Sequence, residues 1–134
     1  MHTKRAQGLL LLTLTVFVAL LAACRGASTS PNLDVRMTIE PSPPCVGPAE
    51  VTLFIVDKND NPVHGAQVRI EANMNHAGMR PVFADAREDS AGTYVADLRF
   101  TMAGDWFLLV TTTLPNGDTV ETKLPVPNVR STCP

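Results

Sequence analysis

Aromatic residues are scarce in this chain of 134 residues, which has one tryptophan, one tyrosine and five phenylalanines. Basic charge is not in excess either: eleven lysines and arginines stand against thirteen acids, a formal net charge of −2. Without a basic field the chain lacks the electrostatic footprint of a nucleic-acid binder. Three cysteines are too few for a disulfide-dense scaffold. There is no glycine-rich loop to cradle a phosphate. There is no G-x-S-x-G, and neither Ser90 nor Ser131 has an adjacent histidine. These absences argue against catalysis, and the sequence reads as that of a non-enzymatic protein. Outside the N-terminus no stretch longer than about ten residues has a helical period, and no internal repeat is present.

The first long apolar run is an address and not part of the fold. Lys4 and Arg5 open the chain with no acid beside them, and Leu9–Ala23 is apolar but for Thr13 and Thr15. That run is short for a membrane span, which needs about 20 residues. A basic start, an apolar middle and a small-residue end make a secretory signal. It closes on Leu21-Ala22-Ala23-Cys24, which resembles the bacterial lipobox. The resemblance implies cleavage before Cys24 and a diacylglyceryl group on its sulfur. Residues 1–23 are therefore expected to be a lipoprotein signal peptide. Residues 24–34 (Cys24, then RGASTSPNLD) would be a lipidated, flexible tether. The expected location is the cell envelope, outside the cytoplasm, with the lipid as the link to the membrane. An acidic balance gives protein side chains no attraction to anionic lipid.

In an oxidising compartment Cys45 and Cys133 have no reducing pool and are expected to pair. They lie too far apart in sequence for a zinc knuckle or a thioredoxin-type pair.

Residues 35–134 read as one domain rich in strands. Val35–Glu40 ends at Pro41-Ser42-Pro43-Pro44, and Val51–Asp57 is a β-branched, apolar strand. Ala66–Ala72 alternates apolar with polar, and Tyr94, Ala96, Leu98 and Phe100, then Trp106, Leu108 and Val110, and then Val120, Thr122, Leu124 and Val126 continue the same every-second-residue phase. Val82–Arg87 is a weaker candidate. Lys58–Pro62 (KNDNP) and Asn116-Gly117 are turns, the latter a strong hairpin signal. About seven short strands, closely spaced, predict an all-β, immunoglobulin-like antiparallel sandwich. Trp106 is its expected central core aromatic. Asp57, Asn59 and Asp60 imitate part of a calcium loop, but no Gly or Glu stands at the sixth and twelfth positions, so turn chemistry explains them better. Glu88-Asp89 reads as a polar turn, and His64 as a solvated turn residue.

If the strands run alternately up and down, the 41–49, 73–81 and 101–104 loops share one end, as does the chain end after Val126. Cys45 and Cys133 then meet. The same end collects Met74, His76 and Met79 from one loop and Met102 from another; of the other methionines, Met1 is in the leader and Met37 in a strand. Thioether and imidazole are soft-to-borderline donors that suit Cu(I) and Ag(I). Gly78 would let the loop curl so that its flanking donors face one point. A plainer reading stands beside this one. Met74 and Met102 continue the inward phase of their strands and would plug the end of the core, leaving His76 in solvent.

The run Val56-Asp57-Lys58-Asn59-Asp60-Asn61-Pro62-Val63-His64-Gly65-Ala66-Gln67-Val68, then Met74-Asn75-His76-Ala77-Gly78-Met79, Gly92-Thr93-Tyr94 and Met102-Ala103-Gly104-Asp105-Trp106 resembles the YtkA-like domain, related to FixH. The resemblance covers residues 50 to 126. It implies an envelope β-sandwich linked with copper handling, often near the assembly of haem-copper oxidases. On this reading Met74, His76, Met79 and Met102 would hold Cu(I), and a copper-receiving envelope protein would be a partner. The alternative is an immunoglobulin-like interaction module without metal, using exposed aromatics among Phe54, Phe83 and Phe107. A lipoprotein subunit of an oxidase or transporter is a third reading.

Overall fold

The computed structural model describes residues 31–76 and 78–134. The leader, Cys24 and the tether up to Ser30 lie outside the described residues. Seven strands follow one another: β1 (Leu33–Glu40), β2 (Gly47–Asp57), β3 (Gln67–Met74), β4 (Val82–Ser90), β5 (Thr93–Phe100), β6 (Gly104–Thr113) and β7 (Thr119–Val129). No helix occurs among the described residues. Every strand pairing is antiparallel, in the order β1-β2-β5-β4-β3-β6-β7.

The seven expected strands are all present, in one sheet and not two. β4 makes it continuous: Val82–Ala86 pair with β3, whereas Arg87–Ser90 pair with β5 across a bulge. Period-two alternation turns one face of each strand inward. Val51, Leu53, Ile55, Ala96, Leu98 and Phe100 from one half thus meet Ile70, Ala72, Leu108, Val110 and Val126 from the other. Each fully buried Leu, Ile or Phe contributes roughly 1.5–3 kcal/mol.

The open margins of the sheet, β1 and β7, run in the same direction. They are joined where the chain leaves β1: Cys45 bridges to Arg130, Val46 N–H donates to Arg130 C=O (2.8 Å) and Arg130 N–H to Pro44 C=O (2.9 Å). Cys45 and Cys133 form the expected disulfide, with Cα atoms 5.2 Å apart. Pro125 and Pro127 stand two apart on β7, which only an edge strand tolerates, since each lacks the N–H that a neighbour would use.

Because the strands alternate in direction, the 41–46, 75–81 and 101–103 loops and the chain after Val129 share one end, called here the methionine end. The 58–66 segment, the Ala91-Gly92 turn and the 114–118 hairpin share the other, the turn end. There Asp57 Oδ1 accepts from the N–H groups of Asn59 (2.8 Å) and Asn61 (3.0 Å). These bonds, with that from the Asn61 side chain, hold the Asp57 carboxyl below its ordinary value of 3.8, the side-chain bond having the largest effect. This is the turn chemistry expected of KNDNP. Tyr94, fully buried, donates its hydroxyl to Val63 C=O (2.9 Å) and accepts from Ala66 N–H (3.1 Å). Burial, chiefly, raises its pKa.

Candidate functional site

At the methionine end the core closes on Trp106 and Phe100. Both are buried, in an edge-to-face pair with ring centroids 5.4 Å apart. Trp106 therefore caps the core at one end and does not stand at its centre. Its indole N–H has to find an acceptor once buried, and it donates to the Met102 carbonyl at 2.9 Å. That bond pins the 101–103 turn, so the backbone of Met102 is fixed while its side chain is 49% exposed. Strand phase alone would have turned Met102 inward; the turn after Phe100 carries it into solvent instead.

Met74 is the last residue of β3, opposite Trp106 on β6, and not a loop residue. Half-buried, it packs against the core. Its methyl reaches into the space that a Cβ at Gly104 would occupy, 2.9 Å from that position. Gly104 also has φ +130°, so an L side chain is disfavoured there on two counts. Met74 thus fills the end of the core, as the plainer reading held, while Met102 does not. In the 75–81 loop His76 is exposed and Met79 half-buried. Gly78 has φ +85°, the left-handed conformation expected of it. The two loops are joined through strands: Met74 leads directly into the His76 loop, and its register partner Trp106 holds Met102.

Among the described residues no three of His, Cys, Asp and Glu come together as a metal cluster. The residues expected to hold an ion here offer thioether sulfur and one imidazole, a donor set suited to a soft monovalent cation. Of the four residues expected as donors, Met74 and Met79 are half-buried and Met102 and His76 are exposed.

His64 is at the turn end, as strand parity required. It is not merely solvated: Nδ1 lies 3.3 Å from Glu88 Oε1, and Glu88 Oε2 accepts the Gly65 N–H at 2.9 Å. Glu88-Asp89 accordingly belong to β4 and not to a turn. Sequence reasoning named Glu88 and Gly104 but missed the contacts of Glu88 with His64 and Gly65, the space at Gly104 that Met74 fills, and the Trp106–Met102 bond. Of the three phenylalanines weighed as an interaction patch, Phe83 is the most exposed, at 54%. Arg69 covers its ring at 5.1 Å, and Lys123 lies over Phe107 at 3.9 Å.

A family model described as YtkA-like matches residues 28–111, well over half of the chain. The matched span takes in Cys45, Met74, His76, Met79 and Met102 and stops within β6. No curated protein and no solved structure matches the chain.

Proposed function

Because the chain belongs to the YtkA-like family, we propose that it is a non-catalytic Cu(I)-binding protein of the cell envelope, tethered outside the cytoplasm by a lipid on Cys24. Its donors are Met74, Met79 and Met102 with the imidazole of His76. The observation that carries this reading is the exposure of Met102: an apolar side chain stands in solvent on a backbone pinned by Trp106, at the end where the other three donors lie. A side chain needed only for packing would lie against the core, as Met74 does. Thioether ligands suit Cu(I) and exchange readily, which fits a chaperone or scavenger that passes copper to another envelope protein, including one in haem-copper oxidase assembly.

Competition against a chromophoric Cu(I) chelator under reducing conditions tests the proposal. The protein is expected to withdraw about one equivalent of Cu(I). A Met79→Leu, His76→Ala variant is expected to withdraw clearly less, and equal competition by the two proteins would refute it. A second reading, an interaction module without metal, is favoured by the exposed ring of Phe83; it expects no withdrawal of copper by either protein.

A further inference from the structure

The margins of the sheet are not equally protected. β7 is blunted by Pro125 and Pro127, and the segment after β1 is fastened over it by the Cys45–Cys133 disulfide. The upper half of β5 pairs only with β2, but exposed Asp97 and Arg99 stand along it as charged guards. Val82–Ala86 of β4 is different. It pairs with β3 on one side and, above the point where β4 crosses to β5, with nothing on the other. This segment, Val-Phe-Ala-Asp-Ala, has no proline, no lysine and no bulge, the irregularity in β4 falling lower, between Glu88 and Ser90. With Asp85 as the one charge along it, this edge still offers its free N–H and C=O groups to another strand.

We propose that this edge pairs with the same edge of a second copy, antiparallel about a two-fold axis at Ala84. The charges of the segment favour a copy of itself as occupant. Under that symmetry Val82 faces Ala86 of the second copy, and Phe83 faces its Asp85. Arg69 is the β3 register partner of Asp85, and the two form no ion pair. The guanidinium lies instead over the ring of Phe83, a residue of the free edge. The second copy's Asp85 would arrive beside that ring, next to a cation already in place. The two-fold makes the contact twice and covers both exposed phenylalanines. The two β3-β6-β7 units would then join into one sheet of eight strands through the paired β4 edges. The pairing uses none of the proposed copper donors and stands apart from that reading.

Sedimentation and native mass spectrometry of the full chain, from micromolar concentrations to about 1 mM, test the proposal. The wild-type chain is expected to dimerise within that range. Asp85→Arg, on an exposed side chain, is expected to weaken the dimer about tenfold or more by setting cation against cation. Adding Arg69→Glu to that variant exchanges the charges and is expected to restore it, which loss of folding would not. Phe83→Ser should weaken the dimer without altering charge. A wild-type chain that stays monomeric to about 1 mM overturns the proposal and leaves the edge for a strand of another protein. So does a dimer unmoved by Asp85→Arg, or a double variant that fails to recover.

Discussion

At the turn end, polar side chains of several loops fold back onto the main chain; at the methionine end the disulfide, the bonds between Arg130 and the 44–46 segment, the Asp105 carboxylate on Asn128 N–H and the Trp106 indole secure the loops, while the side chains of Met102 and His76 are left exposed. Asp57, Tyr94, Glu88 and the Asn116–Asp118 pair all serve backbone groups at the turn end. At the other end the side chains of Met102 and His76 are exposed, and their loops are held by features beneath them: Trp106, Gly104 and the Cys45 bridge. On the proposed copper-binding reading, a domain that must stay folded while two of its loops admit an ion gains from that division. On that reading the turn end and the cross-link supply stability, and the exposed side chains of the methionine end supply the chemistry.

The division can be broken by removing its cross-link, and this carries the largest expected effect. The disulfide closes a loop of 88 residues. Its removal in a Cys45→Ala, Cys133→Ala variant is expected to cost up to about 4–5 kcal/mol in the chain-entropy account. Denaturant unfolding would measure this, and a loss below about 1 kcal/mol would show that the bridge is ornamental.

Glycine substitutions sharpen the contrast. A Cβ at Gly92, in the turn end, would lie 2.8 Å from both the Ile55 carbonyl oxygen and Pro62 Cβ, on a backbone with φ +70°. Gly92→Ala should cost on the order of 3 kcal/mol, from overpacking together with left-handed strain. Gly78, in the methionine loop, has nothing within 4 Å, so Gly78→Ala should cost only the strain, about 1 kcal/mol. Equal losses in thermal unfolding would contradict the asymmetry.

The smallest effect is that of acid. The folded-state pKa of Asp57 lies below its unfolded value. Its contribution to stability is therefore full above the unfolded value and fades as pH falls through the folded one. Stability should decline below about pH 4, and Asp57→Asn should flatten part of that decline in unfolding curves taken between about pH 2 and 6. An unchanged slope in the variant would assign the acid sensitivity elsewhere.

The strands were legible because alternation of apolar and polar residues survives even at low aromatic content. Their ends were less so, for identifiable reasons. Pro125 and Pro127 argue against a strand, yet β7 runs on to Val129 because an edge needs no N–H on its free side. Gly47 and Pro48 likewise disguise the start of β2. The acids of Glu88-Asp89 suggest a turn, but Glu88 is occupied by the Gly65 N–H, a partner 23 residues away that no local pattern reveals. At the candidate site, residue types and strand parity were enough to gather the methionines at one end. That Met74 packs inward while Met102 turns out depends on the space at Gly104 and on the acceptor found by Trp106, both properties of neighbouring strands.

Carbon-13 NMR of the methionine methyl groups during titration with Ag(I), a redox-inert stand-in for Cu(I), tests the central claim most directly. Met37, on β1 beside the seam with β7, serves as an internal control. The account expects the Met74, Met79 and Met102 methyls to shift together and saturate near one equivalent while Met37 stays in place. Four methyls that remain still, or that drift alike without saturating, would contradict it.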